Sequence, residues 1–177
     1  LLTFGGTDPN NFTLKVLRVL NNLDGNFTIS VILGMGYRHR EELINFSKKM
    51  NKEVQVFNNV KSMSEYMSSA DLIFSSAGRT MYEIASIGTP SIILCQNDRE
   101  LMHLFGSSEN GFINLGLGTS VSDTKLEKVI TDVIKNYKLR KDMNIKMKSI
   151  DLKGGADRIL RIIFDNYNKS KEEKNYG

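Results

Sequence analysis

The stretch Asp71-Leu72-Ile73-Phe74-Ser75-Ser76-Ala77-Gly78-Arg79-Thr80-Met81-Tyr82-Glu83-Ile84-Ala85-Ser86-Ile87-Gly88-Thr89-Pro90-Ser91-Ile92-Ile93-Leu94-Cys95 decides the fold. It opens on an apolar run of strand length over Asp71–Phe74, passes through four small residues, and continues as a helix to Ile87. Gly88-Thr89-Pro90 stops that helix, and a second apolar run follows at Ser91–Cys95. Strand, helix and strand in that order imply parallel pairing through a right-handed crossover. Strands that are apolar at every position belong to a sheet covered on both faces.

The same order repeats outward in both directions. Leu1–Gly6 reads as a strand, and Asp8-Pro9 announces a helix because Asp caps free amides while proline suits the first helical position. Phe12, Val16, Leu20 and Leu23 then give that helix one apolar face, ended by Asp24-Gly25. A second unit has a strand at Phe27–Leu33, a turn at Gly34-Met35-Gly36 and a helix over roughly Arg38–Met50. A third strand is expected at Glu53–Phe57 and a short helix at Ser62–Ser69. Beyond Cys95, a helix is expected near Arg99–Ser108 and a strand at Phe112–Leu115. Helical stripes follow at Leu126, Val129, Ile130, Val133, Ile134, Tyr137 and at Ala156, Ile159, Leu160, Ile163, Phe164. The expected architecture is a doubly wound, Rossmann-like α/β domain with helices on both faces of a parallel sheet, spanning residues 1–168. The charged segment 169–177 lacks apolar periodicity and is expected to be a disordered tail.

Composition narrows the function classes. At 177 residues there is room for one domain. A hydrophobic fraction of 40% and a charged fraction of 25% are ordinary for a globular protein, and no apolar run reaches the length of a membrane span. The net charge of +4 gathers around Lys138, Arg140, Lys141, Lys146, Lys148 and Lys153, which read as solvated helix faces. Without interleaved aromatics or a named motif, they do not indicate a nucleic-acid partner. The lone Cys95 forms no internal disulfide and reads as a small buried hydrophobe, so a cytoplasmic setting is expected. Leu1-Leu2-Thr3-Phe4 reads as a strand already under way, which suggests a piece of a larger protein.

In open parallel sheets, ligands bind beyond the carboxyl ends of the strands, so the loops there carry the chemistry. In Gly5-Gly6-Thr7-Asp8, two glycines let backbone amides and the Thr7 hydroxyl approach an anion; the same residues also read as a tight turn with Asp8 as a cap. In Ser75-Ser76-Ala77-Gly78-Arg79-Thr80, small residues offer free amides at the positive end of a helix, and Arg79 adds charge. Glu83, one turn on, suits the vicinal hydroxyls of a ribose, but Thr80-x-x-Glu83 is equally a capping box. Gln96-Asn97-Asp98-Arg99-Glu100 offers amides and carboxylates to sugar hydroxyls, or is a solvated turn. Gly34-Met35-Gly36-Tyr37 lacks the third glycine of the dinucleotide fingerprint, since position 39 is His. His39 and His103 have no metal-ligand spacing, and no Ser-His-Asp order or nucleophile elbow is present. No cofactor or metal is therefore expected.

Taken together, Phe4-Gly5-Gly6-Thr7, Ser76-Ala77-Gly78-Arg79-Thr80-Met81-Tyr82-Glu83 and Gly88-Thr89-Pro90 resemble the C-terminal domain of GT-B nucleotide-sugar enzymes. The resemblance covers roughly Leu1–Leu117 and is strongest to the UDP-sugar hydrolase of pseudaminic acid biosynthesis and its spore-coat polysaccharide relatives. The peptidoglycan N-acetylglucosaminyltransferase is a more distant likeness. This resemblance implies a UDP or UDP-sugar ligand, with Ala77, Gly78, Arg79 and Thr80 at its phosphates and Glu83 at its ribose. It implies that Gly5, Gly6 and Thr7 face the diphosphate, that Asn59 and Val60 lie near uracil, and that Asn97, Asp98, Arg99 and Glu100 face the sugar. Relatives carry a His-Gln or Asn-Gln pair where this chain reads Gln96-Asn97-Asp98-Arg99-Glu100. It further implies an N-terminal half, absent from this sequence, that supplies the catalytic residues, so this chain is expected to bind without turnover. The rival expectation is a noncatalytic module that kept the fold without the chemistry.

Overall fold

The computed structural model describes residues 1–175. Among these residues, six parallel strands form one sheet in the order β3-β2-β1-β4-β5-β6. They are β1 (Leu2–Thr3), β2 (Ile29–Leu33), β3 (Val54–Asn58), β4 (Ile73–Ser75), β5 (Ser91–Cys95) and β6 (Phe112–Leu117). The chain winds outward from β1 to β3 and then returns to the other side of β1 to lay down β4, β5 and β6. This is the doubly wound, Rossmann-like order expected from the alternation of elements.

Alternate residues of the central strands enter opposite layers, as a pleated strand requires. Ile92 and Leu94 of β5 pack with Leu2, Val31 and Leu33 under α1 (Phe12–Asn22), α2 (Arg40–Ser47) and α6 (Asp123–Lys135). Ile93 and Cys95 face the other way, joining Met67 of α3 (Met63–Ser69), Met81 and Ile84 of α4 (Thr80–Ile87) and Met147 of α7 (Tyr137–Ser149). The two layers explain why β4 and β5 are apolar at nearly every position.

Helix α1 shows how local sequence builds an element. Phe12, Val16, Leu17 and Leu20 bury one face, while both carboxylate oxygens of Asp8 accept backbone amides at its start, from Phe12 at 2.9 Å and Thr13 at 2.8 Å. The cap therefore acts from Asp8, although the last non-helical residue is the left-handed Asn11.

Three stretches differ from expectation. The helix expected over Arg99–Ser108 is the single turn α5 (Asp98–Leu101); after it Gly106 lies against Met81, where the Cβ of any other residue would meet the thioether sulfur at 2.5 Å. Residues 137–149, read from sequence as an exposed basic face, form α7, anchored by Met143 and Met147 and started by Asn136, whose side chain accepts the Leu139 amide at 3.0 Å. Helix α8 (Gly155–Asn175) runs into the segment expected to be a disordered tail, because Lys, Glu and Ser interpose no helix breaker once the apolar stripe has ended. Residues 176 and 177 of that expected tail lie outside the described residues.

Candidate functional site

The winding direction reverses between β1 and β4, and such a switch point opens a crevice at the carboxyl ends of the strands. Thr3 and Ser75 are partners in the ladder. The loops Phe4-Gly5-Gly6-Thr7-Asp8 and Ser76-Ala77-Gly78-Arg79-Thr80 therefore leave the sheet side by side. These are the two loops singled out by their glycines and small residues.

Gly5, Gly6 and Thr7 are exposed. Gly5 has φ of 81°, a left-handed conformation that glycine adopts without strain. A Cβ on Gly5 or Gly6 would meet no atom within 4 Å, so this loop presents bare backbone to open space. Behind it, Gly34 approaches so closely that its Cβ would lie 2.6 Å from the Gly5 carbonyl and nearer still to Gly6. The Gly36 amide donates to the Gly6 carbonyl at 2.9 Å. Asp8 turns away from this exposed rim: it is 2% exposed and, besides its two helix amides, accepts Gln96 Nε2 at 2.7 Å. Its charge is thus matched by three donors inside the protein.

The second loop leads directly into α4. The amides of Met81 and Tyr82 bond back to the carbonyls of Gly78 and Arg79 at 3.2 and 3.0 Å. Among the described residues, the amides of Gly78, Arg79 and Thr80 have no partner. The cap position is Arg79, with no side-chain hydrogen bond. Thr80 and Glu83 therefore do not form the capping box that their spacing allows. The exposed Glu83 carboxylate, the Thr80 hydroxyl and the exposed Arg79 guanidinium have no hydrogen-bond partner among the described residues. Residues three apart share a helix face, so Thr80 and Glu83 flank the free amides on one turn.

The remaining candidates divide. Asn97 caps α5 by accepting the Glu100 amide at 3.1 Å, and Glu100 Oε2 accepts the amides of Gln96 at 2.8 Å and Ala77 at 3.1 Å. Asp98 and Arg99 are exposed. Asn59, in a left-handed conformation, and Val60 follow the edge strand β3, two strand positions from β1. No hydrogen bond joins them to the loops after β1 and β4 among the described residues.

Several connections were not legible beforehand. Asn10 Nδ2 donates to the Gln96 backbone carbonyl at 2.8 Å and to its side-chain oxygen at 2.9 Å. Tyr37 donates its hydroxyl to Asn11. His103 Nδ1 lies 2.6 Å from the Ala77 carbonyl. The cluster of amides and acids at positions 8, 10, 11 and 96 was the available signal. Burial, with the charges of Asp8 and Glu42 added, holds the Tyr37 phenol well above its ordinary range. Burial and then the Glu100 charge push the Cys95 thiol up, against a hydrogen bond with Asn114 that lowers it. Among the described residues, no group of three or more His, Cys, Asp or Glu could hold a metal ion. No helix there is long and apolar enough to cross a membrane.

Fold and crevice define a Rossmann-like domain of the type that forms the C-terminal half of GT-B glycosyltransferases. The model of the glycosyltransferase family 28 C-terminal domain matches residues 1–159, and the chain belongs to that family. It is 40% identical over 100 residues to an uncharacterized protein of Methanocaldococcus jannaschii, a match covering 55% of this chain and 21% of that protein. It is 24% identical over 172 residues to the spore coat polysaccharide biosynthesis protein SpsG of Bacillus subtilis, covering 94% of this chain and 50% of SpsG. Its fold is similar to that of MurG from Acinetobacter baumannii, with a TM-score of 0.77, 16% identity and coverage of 93% of this chain and 48% of MurG. It is also similar to the glycotransferase of kitacinnamycin, with a TM-score of 0.62 and 17% identity over 92% of this chain and 41% of that one. The chain thus spans half or less of the length of each of these proteins.

Proposed function

We propose that this chain is the donor-binding domain of a UDP-sugar enzyme, a glycosyltransferase or a UDP-sugar hydrolase, acting in surface polysaccharide or nonulosonic acid biosynthesis. The observation that carries the proposal is the loop and first turn at the start of α4. Three free amides, the Thr80 hydroxyl and the Glu83 carboxylate stand together there, across the switch point from the bare Gly5-Gly6 backbone. Amides at a helix start suit phosphate oxygens. A carboxylate one turn further suits two ribose hydroxyls. Arg79, exposed beside these amides, adds positive charge.

In this reading, the bond between sugar and diphosphate breaks with negative charge growing on the departing nucleotide. Preoriented amides and the α4 dipole stabilise that charge more in the transition state than in the bound donor, which is the condition for catalysis. The acceptor or water, and the group that activates it, come from an N-terminal half across the cleft. A surface awaiting another domain supports this division: Ile159, Leu160, Ile162, Ile163 and Phe164 of α8 are all at least half exposed, far more apolar surface than isolated side chains account for.

Calorimetric titration with UDP, with CDP and NAD as competitors, tests the proposal. Saturable UDP binding is expected. Glu83→Gln is expected to weaken it about tenfold or more, because hydrogen bonds to a charged group contribute roughly 1.5–3 kcal/mol. Equal affinity for NAD, or UDP binding indifferent to Glu83→Gln, refutes the assignment of this turn to the nucleotide.

A further inference from the structure

We infer that Glu100 and His103 are positioning residues that brace Ala77 from both sides and thereby aim the amides that receive the phosphates; the inference rests on the nucleotide reading above. One oxygen of Glu100 accepts the Ala77 amide at 3.1 Å and the Gln96 amide at 2.8 Å. It therefore ties the loop after β4 to the loop after β5. Three residues along, His103 Nδ1 sits 2.6 Å from the Ala77 carbonyl, an arrangement that requires the proton on Nδ1.

The geometry has a directional consequence. In a trans peptide unit, the C=O and the following N–H point in opposite directions. Holding the Ala77 carbonyl toward His103 therefore points the Gly78 amide away from His103. Gly78 lacks a side chain, and a Cβ placed there would approach nothing nearer than Ser76 Oγ at 3.8 Å, so packing around residue 78 does little to prevent this peptide from rotating. The contacts from Glu100 of α5 and from His103, two residues beyond its end, supply the missing restraint, one on each side of Ala77. Glu100 is held in turn: Asn97 fixes its amide, and Gln96, whose own amide Glu100 accepts, is locked to Asp8 and Asn10. Orientation thus passes from the β1 loop through Gln96 and Glu100 to the start of α4.

Two measurements test the brace. Without ligand, amide hydrogen exchange at Ala77 and Gln96, followed by NMR, is expected to accelerate about tenfold in Glu100→Ala. It should stay near the native rate in Glu100→Gln, whose side-chain oxygen still accepts both amides. Unchanged exchange in Glu100→Ala overturns the brace. With ligand, Glu100→Ala and His103→Ala are each expected to weaken UDP about tenfold, with Glu100→Gln and His103→Asn restoring most of the loss. UDP lacks the transferred sugar of a UDP-sugar, so a residue that merely faced that sugar would leave UDP affinity untouched, and that result overturns the inference. Tighter UDP binding by Glu100→Ala overturns it too, because the carboxylate would then be competing for the amides. If the native chain binds no UDP, the nucleotide proposal fails, while the exchange rates still decide whether Glu100 restrains Ala77.

Discussion

Two glycines that touch each other in space should respond in opposite ways to the same added methyl group. At Gly34, the new Cβ would lie 2.6 Å from the Gly5 carbonyl oxygen and closer still to Gly6. These neighbours are backbone, with no flexible end to swing aside, whereas ordinary carbon contacts sit at ~3.5–4.0 Å. The β1 loop must retreat by about 1 Å, at the ~1–3 kcal/mol typical of overpacking. For a chain of this size each kcal/mol shifts Tm by roughly 2–4 °C, so Gly34→Ala should melt on the order of 5 °C lower. At Gly6, by contrast, a Cβ meets nothing within 4 Å and φ is not in the left-handed region. Gly6→Ala should hold Tm or raise it slightly, since alanine restricts the unfolded chain by about 0.4–1 kcal/mol. The methyl then projects into the space assigned to the diphosphate and should weaken UDP by about tenfold or more. Thermal unfolding and calorimetry on the two variants separate the effects. A native Tm in Gly34→Ala refutes the close approach, and native UDP affinity in Gly6→Ala refutes the placement of the diphosphate against this loop.

Ser75 Oγ is buried without a hydrogen-bond partner among the described residues. An unsatisfied buried hydroxyl costs about 1–3 kcal/mol, so Ser75→Ala should raise the urea midpoint; a lower midpoint would show that the hydroxyl is satisfied after all. The Tyr37 phenol is held above its ordinary range by burial and by the Asp8 and Glu42 charges. A raised folded-state pKa adds stability that is complete below the unfolded value, about pH 10, and is lost as pH climbs beyond it. Urea midpoints taken from neutral pH to about pH 11 should therefore fall more steeply in the native chain than in Tyr37→Phe, and parallel curves would contradict this.

Continuous apolar runs mark the central strands because the sheet is covered on both faces there. Ile92, Ile93, Leu94 and Cys95 are all fully buried, so each position carries the signal whichever layer it enters. The sequence of helix α7 shows only an exposed face because Met143 and Met147 are buried while Ile145, between them, is exposed. Five of its thirteen residues are Lys or Arg, which hid a narrow apolar seam. The Asp8–Gln96 bond spans 88 residues. Its existence depends on β5 lying two strands from β1, a fact of sheet order that no local pattern encodes.

The candidate loops were legible for a different reason and only in part. Gly5-Gly6 and Ser76-Ala77-Gly78 stood out because backbone that must stay bare excludes most side chains, and that exclusion is visible in one sequence. Glu83 was not decidable, since Thr80-x-x-Glu83 serves a capping box and a ribose clamp equally well. The backbone resolves the first alternative by one residue. The helix begins at Thr80 rather than after it, so Arg79 holds the cap position, Thr80 lies inside the first turn, and Glu83 has no capping partner. A carboxylate kept exposed and, among the described residues, without a partner beside three free amides is a poor stability device. The same arrangement suits a ligand with phosphates at one end and hydroxyls at the other, which is why Glu83→Gln should cost nucleotide affinity while leaving Tm nearly unchanged.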